Sequence, residues 1–220
     1  MGSPTTAVPA ATTVTFHLNG EATTVGVEPD ERVLDVLRDR CGIRSAKRGC
    51  GQGQCGSCVV LVDGRPLTCC ATPASKIDGK AVVTLEGLPE RIREVLVRCY
   101  AVAGAVQCGF CTPGFVVRSA AILQAQPSPS RTAIAKGLQG HLCRCTGYVK
   151  IIDAVELAAN VLRGELELPT LALEGGVGDP LPKLGAESAA RGAKEYITDR
   201  TVPDMLHGAV RLSDHPRALV

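Results

Sequence analysis

Cysteine spacing constrains this chain more than any other feature: the sequence offers two sets of four thiols that must each converge from separate loops. The first set reads Cys50, Cys55, Cys58 as C-x4-C-x2-C, with Cys69 and Cys70 both available downstream as a fourth member. That is the plant-type [2Fe–2S] spacing. Gly49, Gly51, Gly53 and Gly56 flank and separate these thiols; they permit the tight, positive-φ turns that aim three sulfurs inward. They also let backbone N–H groups approach an anionic cluster. Four thiolates suit tetrahedral zinc as well, but zinc ribbons pair two C-x2-C knuckles, and this Gly-rich loop does not. The second set is Gln107-Cys108-Gly-Phe-Cys111 followed far downstream by Leu142-Cys143-Arg-Cys145. By counting alone it is another four-thiolate site, with zinc and iron–sulfur equally open. Cys41 and Cys99 lie in helical patterns, where a small buried apolar residue is expected.

Composition supports metal over disulfides. Eleven Cys is an odd count, which sits badly with a complete disulfide framework. The start, MGSPTTAVPAATT, has neither a basic n-region nor an apolar h-region, so a reducing cytoplasm is expected. Hydrophobic residues reach 45% but aromatics only 3%, with no Trp, so something besides large rings must help hold a globular chain together. Lys+Arg 24 against Asp+Glu 22 gives +2, without basic runs, which argues against a nucleic-acid or anionic-membrane footprint. No apolar run is long enough to span a bilayer.

Patterning places the cysteines in an α+β chain. Residues 13–29 form two alternating runs about Asn19-Gly20, a type I′ hairpin signal. Asp30 is expected to cap a helix with Val33, Leu34, Val36 and Leu37 on its apolar face, ended by Gly42. A second hairpin turning at Asp63-Gly64 and a strand at AVVTLE complete the order of a β-grasp ferredoxin domain over 13–88. The period then changes to that of four helices over 89–164, whose loops carry the second thiol set. Cys108 and Cys111 precede a helix starting at Thr112-Pro113, where the dipole favours an anionic cluster. Residues 1–12 are expected to be disordered and 165–185 to form an extended linker. Residues 186–220 carry apolar side chains for a strand, Met205–Val210, but no core of their own.

The strings KRGCGQGQCGSCVVLVDG, VQCGFCTPGFVVRSAAIL and HLCRCTGYVKIIDAV together resemble the iron–sulfur subunit or domain of molybdenum hydroxylases, the xanthine dehydrogenase and aldehyde oxidoreductase family. The resemblance implies two [2Fe–2S] clusters, held by Cys50, Cys55, Cys58 and Cys70 and by Cys108, Cys111, Cys143 and Cys145. Cys70 is selected over Cys69 because the family's fourth ligand lies twelve positions after the third. It also implies that Gln107 and Cys145 touch a molybdopterin, in cytosine dinucleotide or similar form, held mainly by a large partner subunit. Electrons would then leave through the first cluster to FAD on another subunit or to a different acceptor. Residues 176–220 resemble the opening of the molybdenum-binding subunit, so the tail is expected to become structured only as a docking strand against that partner. The expected function is electron transfer during water-derived hydroxylation of an aldehyde or purine-like N-heterocycle. The rival is a stand-alone ferredoxin-like carrier, which the second thiol set and the tail disfavour.

Overall fold

The computed structural model describes residues 12–172, 174–206 and 208–217. The expected disordered start therefore lies outside the described residues, except for Thr12, which opens the first strand.

Strands β1 (Thr12–Leu18) and β2 (Glu21–Val27) pair antiparallel through Asn19 and Gly20, at φ 53° and 93°. Both central residues of a type I′ turn need positive φ, which Asn and Gly tolerate best. Val14 and Phe16 point inward while their neighbours face solvent. Helix α1 (Val33–Asp35) continues into a wider π turn, Val36–Arg40, and buries Val33, Leu34, Val36 and Leu37 completely. Asp30 does not cap it. The N-cap is Arg32 without a side-chain bond, and the start is fixed by the backbone: the Val33 N–H donates to the Thr72 carbonyl at 2.9 Å.

Strands β3 (Val59–Val62) and β4 (Arg65–Thr68) form the second hairpin, with Asp63 and Gly64 at φ 48° and 77°. Strand β5 (Ala81–Val83) lies between β1, to which it is parallel, and β3. The sheet order is β2-β1-β5-β3-β4. Strand β3 is apolar throughout because both of its faces are covered. Val60 joins the α1 side, while Val59 and Leu61 join a second core on the other face.

That second core belongs to four helices, α2 (Glu90–Val102), α3 (Thr112–Ala125), α4 (Arg131–Gly137) and α5 (Val149–Leu162). Ser130 caps α4 by accepting the Ala133 N–H at 3.2 Å. Leu96, Tyr100, Phe115, Val116, Ile134, Ile151 and Val155 are fully buried or nearly so. The Tyr100 hydroxyl meets the Ser119 hydroxyl at 2.8 Å, so neither polar group is left unpaired in the core.

The tail departs from expectation. Among the described residues no strand follows β5; residue 207, inside the expected Met205–Val210 strand, is outside the described set. A strand there would need a neighbour for its backbone groups, and none is present among the described residues. Instead the chain forms a short helix, α6 (Ala186–Ala190), and a 3-10 turn, Ile197–Asp199, both laid on the rest of the protein. Ala186, Ala189 and Ala190 are buried in the helical core. The expectation that this segment orders only against a partner is thus corrected for residues 186–199. The large side chains Leu184, Ile197, Leu206, Val210 and Leu212 stay exposed. No helix among the described residues is long and apolar enough to cross a membrane.

Candidate metal centres

The loop between α1 and β3 brings Cys50, Cys55 and Cys58 together, and the 3-10 turn Cys69–Ala71 after β4 adds Cys70. The thiols meet in pairs: Cys50 with Cys55, and Cys58 with Cys70. Backbone donors surround them. The Gln52 and Gln54 N–H groups donate to Cys50 Sγ at 3.3 Å, the Cys50 N–H to Cys55 Sγ at 3.3 Å, and the Gly53 N–H to Cys70 Sγ at 3.2 Å. Gly51, Gly53 and Gly56 adopt φ between 67° and 76°, which is how so short a loop turns its amides inward. Gly49 serves differently, since a Cβ there would lie 2.7 Å from Cys55 Sγ. The Gln52 N–H above all lowers the Cys50 thiol to about 6, whereas burial pushes Cys58 up to about 12. Cys69 is buried with its Sγ toward the Leu67 carbonyl at 4.0 Å, and burial pushes its thiol up. It receives none of the loop's N–H bonds.

The second set lies at the start of α3 and in the loop between α4 and α5. Cys111 is the α3 N-cap residue, with Pro113 in the first turn. Again the thiols pair, Cys111 with Cys143 and Cys108 with Cys145. Burial would raise the Cys143 thiol, but the Thr146 hydroxyl at 3.1 Å and its N–H at 3.4 Å outweigh burial and lower it. Burial pushes Cys111 up. Tyr148 holds the C-x-C loop from the other side: at φ 70° it opens α5, and its hydroxyl accepts the Cys143 N–H at 3.1 Å. Neither Thr146 nor Tyr148 was singled out by any motif in the sequence. Cys108, Cys145 and Gln107 are exposed together.

The donor sets fit a two-iron cluster. Each iron of a [2Fe–2S] centre held by four cysteines takes two thiolates beside the bridging sulfides, and each set supplies two plus two. Structural zinc needs four ligands round one point.

The two loops touch through their backbones. A Cβ on Gly114 of α3 would lie 2.3 Å from the Gly56 carbonyl oxygen, and one on Gly56 would lie 2.5 Å from the His141 ring. The Leu142 N–H donates to the Cys55 carbonyl at 3.0 Å. His141 is buried against Phe115, both ring nitrogens lack a partner among the described residues, and burial drives its pKa to about 4, so it is neutral at pH 7. No motif marked His141, so its place between the loops was not legible in the sequence.

Comparison with known proteins agrees with this geometry. Residues 16–85 match the family described as "2Fe-2S iron-sulfur cluster binding domain" and residues 84–156 the "[2Fe-2S] binding domain". The nicotinate dehydrogenase small FeS subunit of Eubacterium barkeri is 44% identical over 147 residues, 66% of this chain and 94% of that protein. The chain belongs to the iron–sulfur subunit family of the molybdenum hydroxylases. Within that family the xanthine dehydrogenase iron-sulfur-binding subunit of Escherichia coli O157:H7 is 41% identical over 148 residues, 65% of this chain and 91% of that one. The aldehyde oxidoreductase of Desulfovibrio desulfuricans superposes with a TM-score of 0.78 at 37% identity, covering 85% of this chain and 22% of that one. The chain is an electron-transfer subunit of an oxidoreductase of the xanthine dehydrogenase and aldehyde oxidoreductase type, with two cluster-binding family matches in tandem.

Proposed function

We propose that Cys50, Cys55, Cys58 and Cys70 hold one [2Fe–2S] cluster in a β-grasp ferredoxin domain, residues 13–88. Cys108, Cys111, Cys143 and Cys145 hold the other in a four-helix domain, residues 89–164. The single observation carrying this reading is the repeated two-plus-two pairing of thiols, each set with N–H donors aimed at sulfur. Bound clusters supply one-electron chemistry, so a pair of them divides the two electrons of a hydroxylation into single steps.

The residues of this chain set the direction. Cys108, Cys145 and Gln107 form the exposed edge at which a molybdopterin on a large partner subunit is met, with Gln107 offering an amide to it. The exposed lip Gly51, Gln52 and Gln54 is the outlet toward a flavin subunit or another acceptor. Exposed apolar side chains beside the second set, Leu142 and Val149, suit a lasting partner better than the brief encounters of a free carrier. The setting is the cytoplasm, where thiols stay reduced until metal binds.

The test is anaerobic addition of substrate to the chain purified with its partner. Iron–sulfur absorbance should bleach within turnover, and product formation with fully oxidised clusters would contradict the reading. Gln107→Ala should keep its iron yet slow this bleaching moderately, by about two- to tenfold, since it removes a hydrogen-bonding amide and not a ligand.

A further inference from the structure

The stretch Ala186–Asp199 lies beyond the residues matched by either family profile, yet it touches both thiol loops. Its helix α6 is pinned to α2 by Glu187 with Arg98 at 2.6 Å and by a two-pronged pair of Arg191 with Glu94. Backbone contact is close at two glycines. A Cβ on Gly192 would lie 2.7 Å from the Ser45 Cα, on the chain leading to Cys50. A Cβ on Gly109, between Cys108 and Cys111, would lie 2.6 Å from the Ala189 Cβ and 3.1 Å from the Tyr196 hydroxyl.

Two side chains complete the contact. The Tyr196 hydroxyl donates to the Cys108 carbonyl at 2.9 Å, Lys194 Nζ donates to the same oxygen at 3.3 Å, and the Tyr196 ring stands edge-on to Phe110. At the other end Asp199 accepts from Lys47 Nζ at 2.9 Å and Arg38 at 2.5 Å, while Arg44 takes its backbone carbonyl at 2.6 Å. The Asp199 and Lys47 side chains are each 1% exposed. Burying two charges is costly unless they pair, so such a tie forms only where geometry is tightly met. Lys47 is itself fastened to the first loop, its N–H donating to the Ser57 carbonyl at 2.9 Å. Burial would raise the Asp199 carboxyl, but the Lys47 and Arg38 hydrogen bonds outweigh it and bring it to about 2. The tie is therefore intact above about pH 4 and lost as pH falls toward 2.

We propose that Ala186–Asp199 is a clasp in which Tyr196 and Asp199 are positioning residues, Tyr196 fixing the Cys108–Cys111 turn through its carbonyl and Asp199 fixing the approach to Cys50 through Lys47. The proposal rests on the two-cluster reading. Among the described residues the Tyr196 hydroxyl and the Asp199 carboxylate bond to oxygen and nitrogen partners, not to sulfur. A carbonyl held by two donors restrains the backbone that carries the exposed Cys108.

The test uses the full chain loaded with iron and sulfide, as wild type, Tyr196→Phe, Asp199→Asn, and Glu165→Gln, whose remote pair with Arg163 serves as reference. Iron and sulfide content comes first: a wild-type chain without two clusters overturns the underlying reading and the clasp together. With clusters present, EPR of the reduced chain and iron loss to a chelator are followed for each cluster. Tyr196→Phe should alter one EPR signal and speed iron loss from that cluster about two- to tenfold, the factor a single net hydrogen bond is worth. Asp199→Asn, which also weakens the acceptor that holds the Tyr196 N–H at 3.0 Å, should speed loss from both, and Glu165→Gln from neither. Should Asp199→Asn fail to fold, Tyr196→Phe decides alone. A fully loaded Tyr196→Phe chain with wild-type EPR and wild-type iron loss overturns the clasp while leaving the two clusters in place.

Discussion

At the residue scale the eleven thiols are not equivalent before metal arrives. Cys50 is lowered to about 6 by the Gln52 N–H, so in the metal-free chain it is mostly thiolate at pH 7; Cys58, Cys69 and Cys99 are pushed up by burial and stay protonated. Alkylation of cluster-free chain at pH 7, read by mass spectrometry, should label Cys50 first and leave Cys58 and Cys99, both raised to about 12, essentially unlabelled. Preferential labelling of Cys99 would contradict the burial found for it. The cysteine spacing was legible because a cluster demands a fixed number of thiolates from short loops. Cys99 also reads correctly as a buried core residue, whereas Cys41 is only half-buried at the edge of the first core. Thr146, Tyr148 and His141 were not legible. Their work depends on which sulfur, amide or glycine lies opposite them in space, and no periodicity records that.

At the element scale, close approach explains choices that propensity does not. Alanine normally stabilises a helix relative to glycine by about 0.5–1 kcal/mol. At Gly114 the sign should reverse, because a Cβ would lie 2.3 Å from a backbone oxygen that cannot swing aside. Gly114→Ala should lower stability by about 1–3 kcal/mol in denaturant unfolding, the range for forcing atoms into a packed site. A stabilised variant would show that α3 and the first loop are free to part. The hairpins were legible from Asn19-Gly20 and Asp63-Gly64, and α2 to α5 from their period. Helix α6 was not, since its anchors are three alanines and the eye goes to the large side chains Leu184 and Ile197, which remain in solvent. The Asp30 cap failed for a related reason: the backbone bond from Val33 to Thr72, far off in sequence, already fixes that turn.

At the scale of the whole molecule, two cores share strand β3 and the two thiol loops meet where Gly56 faces Gly114 and His141. Removing residues after Gly164 would strip Asp199 from Lys47 and uncover the helical core beneath α6. Losing that ion pair and opening apolar core to water both weaken the fold, so the shortened chain should unfold at clearly lower denaturant than the full chain. Equal midpoints would mean that the tail contributes nothing to the fold. The central claim is that eight cysteines, in two sets of four, hold two independent clusters. Cys111→Ser tests it most directly, by iron and acid-labile sulfide analysis with EPR of the dithionite-reduced chain. The wild type should hold about four iron and four sulfide and give two signals, and the variant about half of each, keeping only the signal of the first site. Two iron per wild-type chain, stoichiometric zinc, or loss of both signals in the variant would contradict it.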